Sequence, residues 1–258
     1  MKVILFHGVG TNGRQMSTIL GAPLAHRGIE TIAVDMPGYG MTQTGRQRRR
    51  VRYDDWVQIG SDLIDAERAR DARPIVLYGL SAGGMETYHV AALNRQVKGI
   101  VGMTFLDQRE QQVRDETALN RMMSRLGIPL ARLAGMAMPM ALASKMHALV
   151  NDKAALKACL ADDTSAGAWV TMRFLASYAA YAPAIEPEDF DVCPILLTQP
   201  AQDRWTPLHL SELFLRRVRR VPVSTVMLEN AGHYPLEQPG LDQMVEAVYR
   251  FCIAAAAQ

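Results

Sequence analysis

The sequence predicts an α/β fold: a mostly parallel sheet of about six strands flanked by helices. Two observations carry this. Short apolar runs bounded by Gly, Pro or Asp alternate with helix-length segments along most of the chain. Strands that alternate with helices close into a parallel sheet covered on both faces. The length, 258 residues with 49% apolar, suffices for one sizeable core.

The elements follow in order. Val3–Phe6 is the first strand and ends at His7-Gly8. A helix over Met16–Arg27 leads to a strand over Thr31–Val34, which stops at Asp35 and the turn-rich Pro37-Gly38-Tyr39-Gly40. Asp54–Ala72 is predicted helical, with Trp56, Ile59, Leu63 and Ala66 at helical spacing on one face. Ile75–Tyr78 is the third strand, Ala82–Asn94 the next helix, and Gly99–Leu106 the fourth strand. Ile195–Thr198 and Val223–Leu228, each following a proline, complete the sheet. The helix Pro207–Arg219 separates them, and Gly240–Ala256 follows, with a fraying end at Ala254–Ala257.

The alternation breaks between about Asp107 and Pro187, where no convincing strand is found. This stretch is rich in Met, Ala and Leu, including Met122, Met123, Met136, Met138, Met140 and Met146. Short helices separated by Gly127-Ile128-Pro129 and Met138-Pro139 are expected. The division is therefore residues 1–106 and 188–258 as core, and 107–187 as a helical lid inserted over the strand ends.

Composition excludes several classes. The net charge of +2 gives no reason to expect nucleic acid or an anionic membrane as partner. No apolar run approaches the roughly 18–20 residues a spanning helix needs, so stable membrane insertion is not expected. The opening MKVILFHGVG is too short for a signal peptide, and three scattered cysteines without C-x-x-C spacing argue against disulfides or thiolate metal sites. A cytoplasmic location is the expectation.

Gly79-Leu80-Ser81-Ala82-Gly83 lies directly between a predicted strand and a predicted helix. A G-x-S-x-G turn in that setting presents the serine hydroxyl at the C-terminal edge of the sheet, on a strained backbone that only small neighbours allow. A serine nucleophile needs a base. Of six histidines, His233 is the candidate, because its loop follows the last strand and so reaches the same edge. The orienting acid should come from a strand end between the two. Asp203, after Ile195–Thr198, gives the order Ser, Asp, His. Asp107 is a rival, and Glu237 is placed to cap or position the His233 loop. Oxyanion donors are expected from the backbone N–H of Ala82 and of Val9, in the loop His7-Gly8-Val9-Gly10. His7 is read as a loop brace.

These pieces, with Asp35-Met36-Pro37-Gly38-Tyr39-Gly40 and Gly232-His233-Tyr234-Pro235-Leu236-Glu237-Gln238-Pro239, resemble the α/β-hydrolase superfamily over nearly the whole chain outside the insertion. Within it the chain looks most like lid-bearing serine esterases, monoacylglycerol-lipase-like or lysophospholipase-like. The resemblance implies a cofactor-free carboxylic ester hydrolase, without metal, with Ser81, Asp203 and His233 as triad and a small-molecule ester as substrate. One departure is that the N-terminal edge hairpin usual in the family is missing, which leaves the Thr31–Val34 strand at an edge where a homodimer could form. The lid methionines suit either plain packing or an acyl pocket for small to medium chains. The arginines Arg46, Arg48, Arg49, Arg50 and Arg52 are read as a solvated loop. An acyltransferase or C–C bond hydrolase of the same fold, or a non-catalytic binding protein on this scaffold, are the alternatives.

Overall fold

The computed structural model describes residues 1–45, 50–119 and 136–257. Its centre is a six-stranded sheet in the order β2-β1-β3-β4-β7-β8. The strands are β1 (Lys2–Phe6), β2 (Glu30–Ala33), β3 (Ile75–Gly79), β4 (Gly99–Gly102), β7 (Ile195–Pro200) and β8 (Val223–Leu228). Every neighbouring pair is parallel. All C-terminal strand ends therefore share one edge. The core strands β1, β3, β4 and β7 are buried along their whole length, as expected where helices cover both faces.

The predicted elements are recovered with instructive shifts. Ala82–Asn94, Val223–Leu228 and Gly240–Ala256 stand where they were expected. The fourth strand stops at Gly102, four residues before the predicted end. Met103–Leu106 is apolar because it is a buried loop: Met103 N donates to Gly79 O at 2.9 Å and Phe105 N to Ser211 Oγ at 3.0 Å. Hydrophobicity alone does not separate such a loop from a buried strand. The predicted face of the second long helix is rotated. Tyr53–Arg70 buries Tyr53, Trp56, Val57, Gly60, Ser61, Ile64 and Glu67, while Ile59 and Leu63 are half-buried and Ala66 is exposed. A buried ion pair draws this face inward: Lys2 Nζ, fully enclosed, lies 2.8 Å from Glu67 Oε2 and 3.0 Å from Asp71 Oδ2.

Between β4 and β7 lies the insertion, with helices Gln111–Thr117, Met140–Ala143, Lys153–Ala161 and Met172–Ala180. It is not purely helical, contrary to expectation. β5 (Ala137–Pro139) pairs antiparallel with β6 (Trp169–Thr171), which places Met138-Pro139 in a strand. Strands of three residues are too short to leave an alternating pattern. The two ends of the insertion are clamped together: Arg109 bridges Asp107 Oδ2 at 2.7 Å and Glu186 Oε1 at 2.6 Å. Met122, Met123, Gly127-Ile128-Pro129 and the arginines Arg46, Arg48 and Arg49 lie outside the described residues. No helix among the described residues is long and apolar enough to cross a membrane.

Helix Ala82–Asn94 runs through the interior, with every residue from Ala82 to Ala92 buried. One of them is Glu86, whose two carboxyl oxygens have no hydrogen-bond partner among the described residues. Burial pushes its pKa well above the ordinary 4.5. The folded state thus holds the proton at pH values where the unfolded chain releases it, so stability falls as pH rises above the ordinary carboxyl range. Glu86→Met is expected to stabilise by about 1–3 kcal/mol, the usual cost of an unsatisfied buried group. At this chain length each kcal/mol is worth roughly 2–4 °C in Tm. Melting curves at pH 5 and pH 8 check this: the gain should be larger at pH 8, and Glu86→Gln should flatten the pH slope. A lower Tm for Glu86→Met at pH 8 would contradict it.

Candidate active site

Ser81 sits between β3 and helix Ala82–Asn94 with φ 55° and ψ −120°, a left-handed conformation that costs a side-chain-bearing residue about 1–3 kcal/mol. The sequence enforces it through close packing. A Cβ on Gly79 would overlap the Gly83 carbonyl, so the turn closes only around glycine. Leu80 N donates to Phe6 O at 3.1 Å and Thr104 Oγ1 to Ser81 O at 3.0 Å, tying the turn to its neighbouring strands. The serine is 6% exposed and lines a cavity of about 140 Å³.

Asp203 and His233 come together because β7 and β8 are paired neighbours, aligned through Pro200 and Leu228. His233 Nδ1–H donates to Asp203 Oδ2 at 2.8 Å, and both side chains are 1% exposed. The Asp203 carboxylate is fully engaged. Its Oδ1 accepts from the backbone N–H groups of Trp205 and Thr206, both at 2.8 Å, and its Oδ2 also accepts from Thr206 Oγ1 at 2.6 Å. Burial alone would raise the Asp203 pKa. The electrostatic attraction of His233 and the hydrogen bonds from His233 and Thr206 outweigh that and hold it below the usual carboxylate range. The stability this contributes is present above the unfolded carboxyl pKa and is lost as pH falls through the lower folded value.

With Nδ1 donating to a carboxylate, the other ring nitrogen is left as an acceptor. His233 Nε2 is buried and has no hydrogen-bond partner among the described residues, and no hydrogen bond joins it to Ser81. Catalytic hydrogen bonds often tighten only when substrate binds. The Trp205 ring packs 4.7 Å from the imidazole, centroid to centroid, and limits its tilt. Glu237 Oε2 accepts from Gly232 N at 3.0 Å and Leu236 N at 3.2 Å, holding the His233 loop as its sequence position suggested. The rival acid Asp107 is engaged by Arg109 and does not meet His233.

The Val9 loop approaches from β1. A Cβ on Gly8 would stand 2.8 Å from Ser81 Cβ and 3.5 Å from Ala82 N, so the two candidate oxyanion donors lie close together. Val9 and Ala82 line the same cavity as Ser81. Ala82 N–H is the first of its helix and has no carbonyl a turn behind it within the helix. His7 is a brace: its Nδ1–H donates to Gly8 O at 2.8 Å and its Nε2 accepts from Met36 N at 2.9 Å. Burial lowers its pKa to about 4, so it stays neutral in this role.

Two groups of residues escaped the sequence reading. Thr206 bonds Asp203 Oδ2 and lies 3.1 Å from His233 Nδ1, and the only hint of it is the Asp-x-x-Thr turn at Asp203. The insertion supplies much of the cavity wall: Met140 is one of the methionines the sequence singles out, but Arg114, Met172 and Tyr178 carry no motif. Among the described residues no group of three or more His, Cys, Asp or Glu side chains could hold a metal ion.

A family model described as alpha/beta hydrolase family matches residues 3–247. No curated protein matches the chain. A monoacylglycerol lipase from Paleococcus ferrophilus superposes with a TM-score of 0.75 at 18% identity, covering 98% of this chain and 94% of the other. A soluble variant of monoglyceride lipase from Saccharomyces cerevisiae, in complex with a substrate analog, gives 0.76 at 16% identity, covering 98% and 86%. Est1E from Butyrivibrio proteoclasticus, with ferulic acid bound, gives 0.63 at 18% identity, covering 100% and 90%. At these identities the likeness is one of fold.

Proposed function

The chain belongs to the alpha/beta hydrolase family, and on that footing we propose that it is a serine hydrolase of carboxylic esters, with Ser81, Asp203 and His233 as its triad. The observation that carries the reading is the Asp203–His233 hydrogen bond at 2.8 Å, which leaves a buried acceptor nitrogen unpartnered at the sheet edge where Ser81 is held. His233 Nε2 takes the Ser81 proton as Oγ attacks the ester carbonyl. The carbonyl electrons move onto oxygen, where the N–H groups of Val9 and Ala82 receive the charge. Collapse expels the alcohol with the proton from His233. Water, deprotonated by the same imidazole, then releases the acid and regenerates the serine.

Substrate size follows from the cavity. Its volume of about 140 Å³ is mostly apolar in its lining, with Leu106, Met140, Met172 and Leu175 among the walls. A dry apolar cavity of about 150 Å³ accommodates benzene, so an acyl group of a few carbons fits. The lipase neighbours support an ester as the substrate class.

Labelling with a fluorophosphonate probe tests the chemistry, and loss of labelling in Ser81→Ala is the expected result. No serine-dependent labelling would reject the reading. Hydrolysis of p-nitrophenyl esters is expected to rise from acetate through butanoate to hexanoate, and a sharp maximum at acetate would exclude the acyl pocket. Parallel assays on amides, thioesters and lactones, and with alcohol acceptors, separate ester hydrolysis from acyl transfer.

A further inference from the structure

The cavity beside Ser81 holds one charged side chain among its described lining residues, Arg114. Everything else on that wall is apolar or neutral. The guanidinium is held from behind: Nη1 donates to the carbonyls of Gln108 at 2.5 Å and Arg109 at 2.8 Å, and Nη2 to Gln111 Oε1 at 2.7 Å. These are neutral acceptors, and no carboxylate pairs with Arg114 among the described residues. Residues 46–49 and 120–135 contain no Asp or Glu, so they bring no acid to it either. The arginines nearby are treated differently: Arg109 and Arg217 each pair with carboxylates.

Of the five N–H groups on a guanidinium, three are used here. The two left are Nε–H, which is buried without a partner, and one on Nη2. Nε and Nη2 lie on the same side of the planar group, and a carboxylate is recognised by two such N–H donors of one guanidinium. A cation in an apolar wall, with two of its five N–H groups unused and no carboxylate partner among the described residues, is matched by an anionic ligand. We infer that the ester substrate carries a free carboxylate, on its acyl chain or on its leaving group, and that Arg114 reads it. This rests on the hydrolase reading of Ser81 and names the substrate class of that site.

The test compares matched esters in wild type, Arg114→Gln and Arg114→Lys. For the acyl side the pair is p-nitrophenyl hydrogen glutarate and its methyl-capped diester. For the leaving-group side it is the butanoate of 4-hydroxybenzoate and that of methyl 4-hydroxybenzoate. The readout is the ratio of kcat/KM for the acid over its capped partner, in which a general loss of structure cancels. In one of the two pairs the ratio is expected to fall at least tenfold in Arg114→Gln and to an intermediate value in Arg114→Lys, since a lysine is a point charge without the planar fork. An unchanged ratio in both pairs overturns the inference. Calorimetry on Ser81→Ala decides the matter without turnover: monomethyl glutarate or 4-hydroxybenzoate is expected to bind at least tenfold more tightly than its capped form. Equal affinity in both comparisons overturns the inference. Absent labelling of wild type would instead fail the hydrolase reading, and the calorimetric result would still stand.

Discussion

Ser81→Ala is expected to lower kcat by about a millionfold, the scale on which a serine hydrolase loses turnover when its nucleophile is removed. The protein should fold as before. Among the described residues the Ser81 hydroxyl makes no hydrogen bond; the turn is held by Gly79, Leu80 and the Ser81 carbonyl. Alanine keeps the same Cβ at φ 55° and so inherits the same strain. Ser81→Gly relieves it and is expected to raise stability by about 1–3 kcal/mol while being equally inactive. Such a gain on loss of function is the signature of a strained catalytic position. Steady-state kinetics and melting curves of the two variants check both halves. Turnover by Ser81→Ala above about a hundredth of wild type would remove Ser81 from the role.

The parts of this site that could be read from the sequence are those fixed by local chemistry. The turn at Ser81 is five residues long, its glycines Gly79 and Gly83 stand two residues either side of the serine, and its strand and helix flank it directly. Asp203 and His233 were legible because a parallel sheet gathers its strand ends along one edge, so two loops from different strands share a neighbourhood. Their pairing then needed β7 beside β8, which the sheet order supplies.

What remained hidden depends on contacts between distant segments. The face of helix Tyr53–Arg70 is turned by Lys2, which binds Glu67 across 65 positions, and buried polar residues are invisible to an apolar pattern. Glu86 occupies a core position without a hydrogen-bond partner among the described residues, against the expectation for its type. Arg114 lies in a helix of seven residues within the insertion, where no periodic signal marks which side meets the cavity. Met103–Leu106 was read as strand because a buried loop and a buried strand share a composition.

Asp203→Asn tests the acid of the proposed triad, and its hydrogen bonds dictate how it should fail. Oδ1 accepts two backbone N–H groups, from Trp205 and Thr206, so the asparagine carbonyl must take that place. The amide nitrogen then faces His233 Nδ1, where Oδ2 had been an acceptor at 2.8 Å. Thr206 Oγ1 adapts by accepting instead of donating. The imidazole has no such freedom: Nδ1 must become the acceptor and the proton moves to Nε2. That nitrogen is the one required to take the proton from Ser81. A fall in kcat of about 10⁴-fold with little change in KM is expected, and fluorophosphonate labelling should slow in parallel. Asp107→Asn is the matched control. It weakens the Arg109 clamp at the neck of the insertion, and should lower Tm while leaving kcat within about tenfold of wild type. If Asp203→Asn keeps kcat within tenfold, or if Asp107→Asn suffers the larger loss, the acid of the triad is not Asp203.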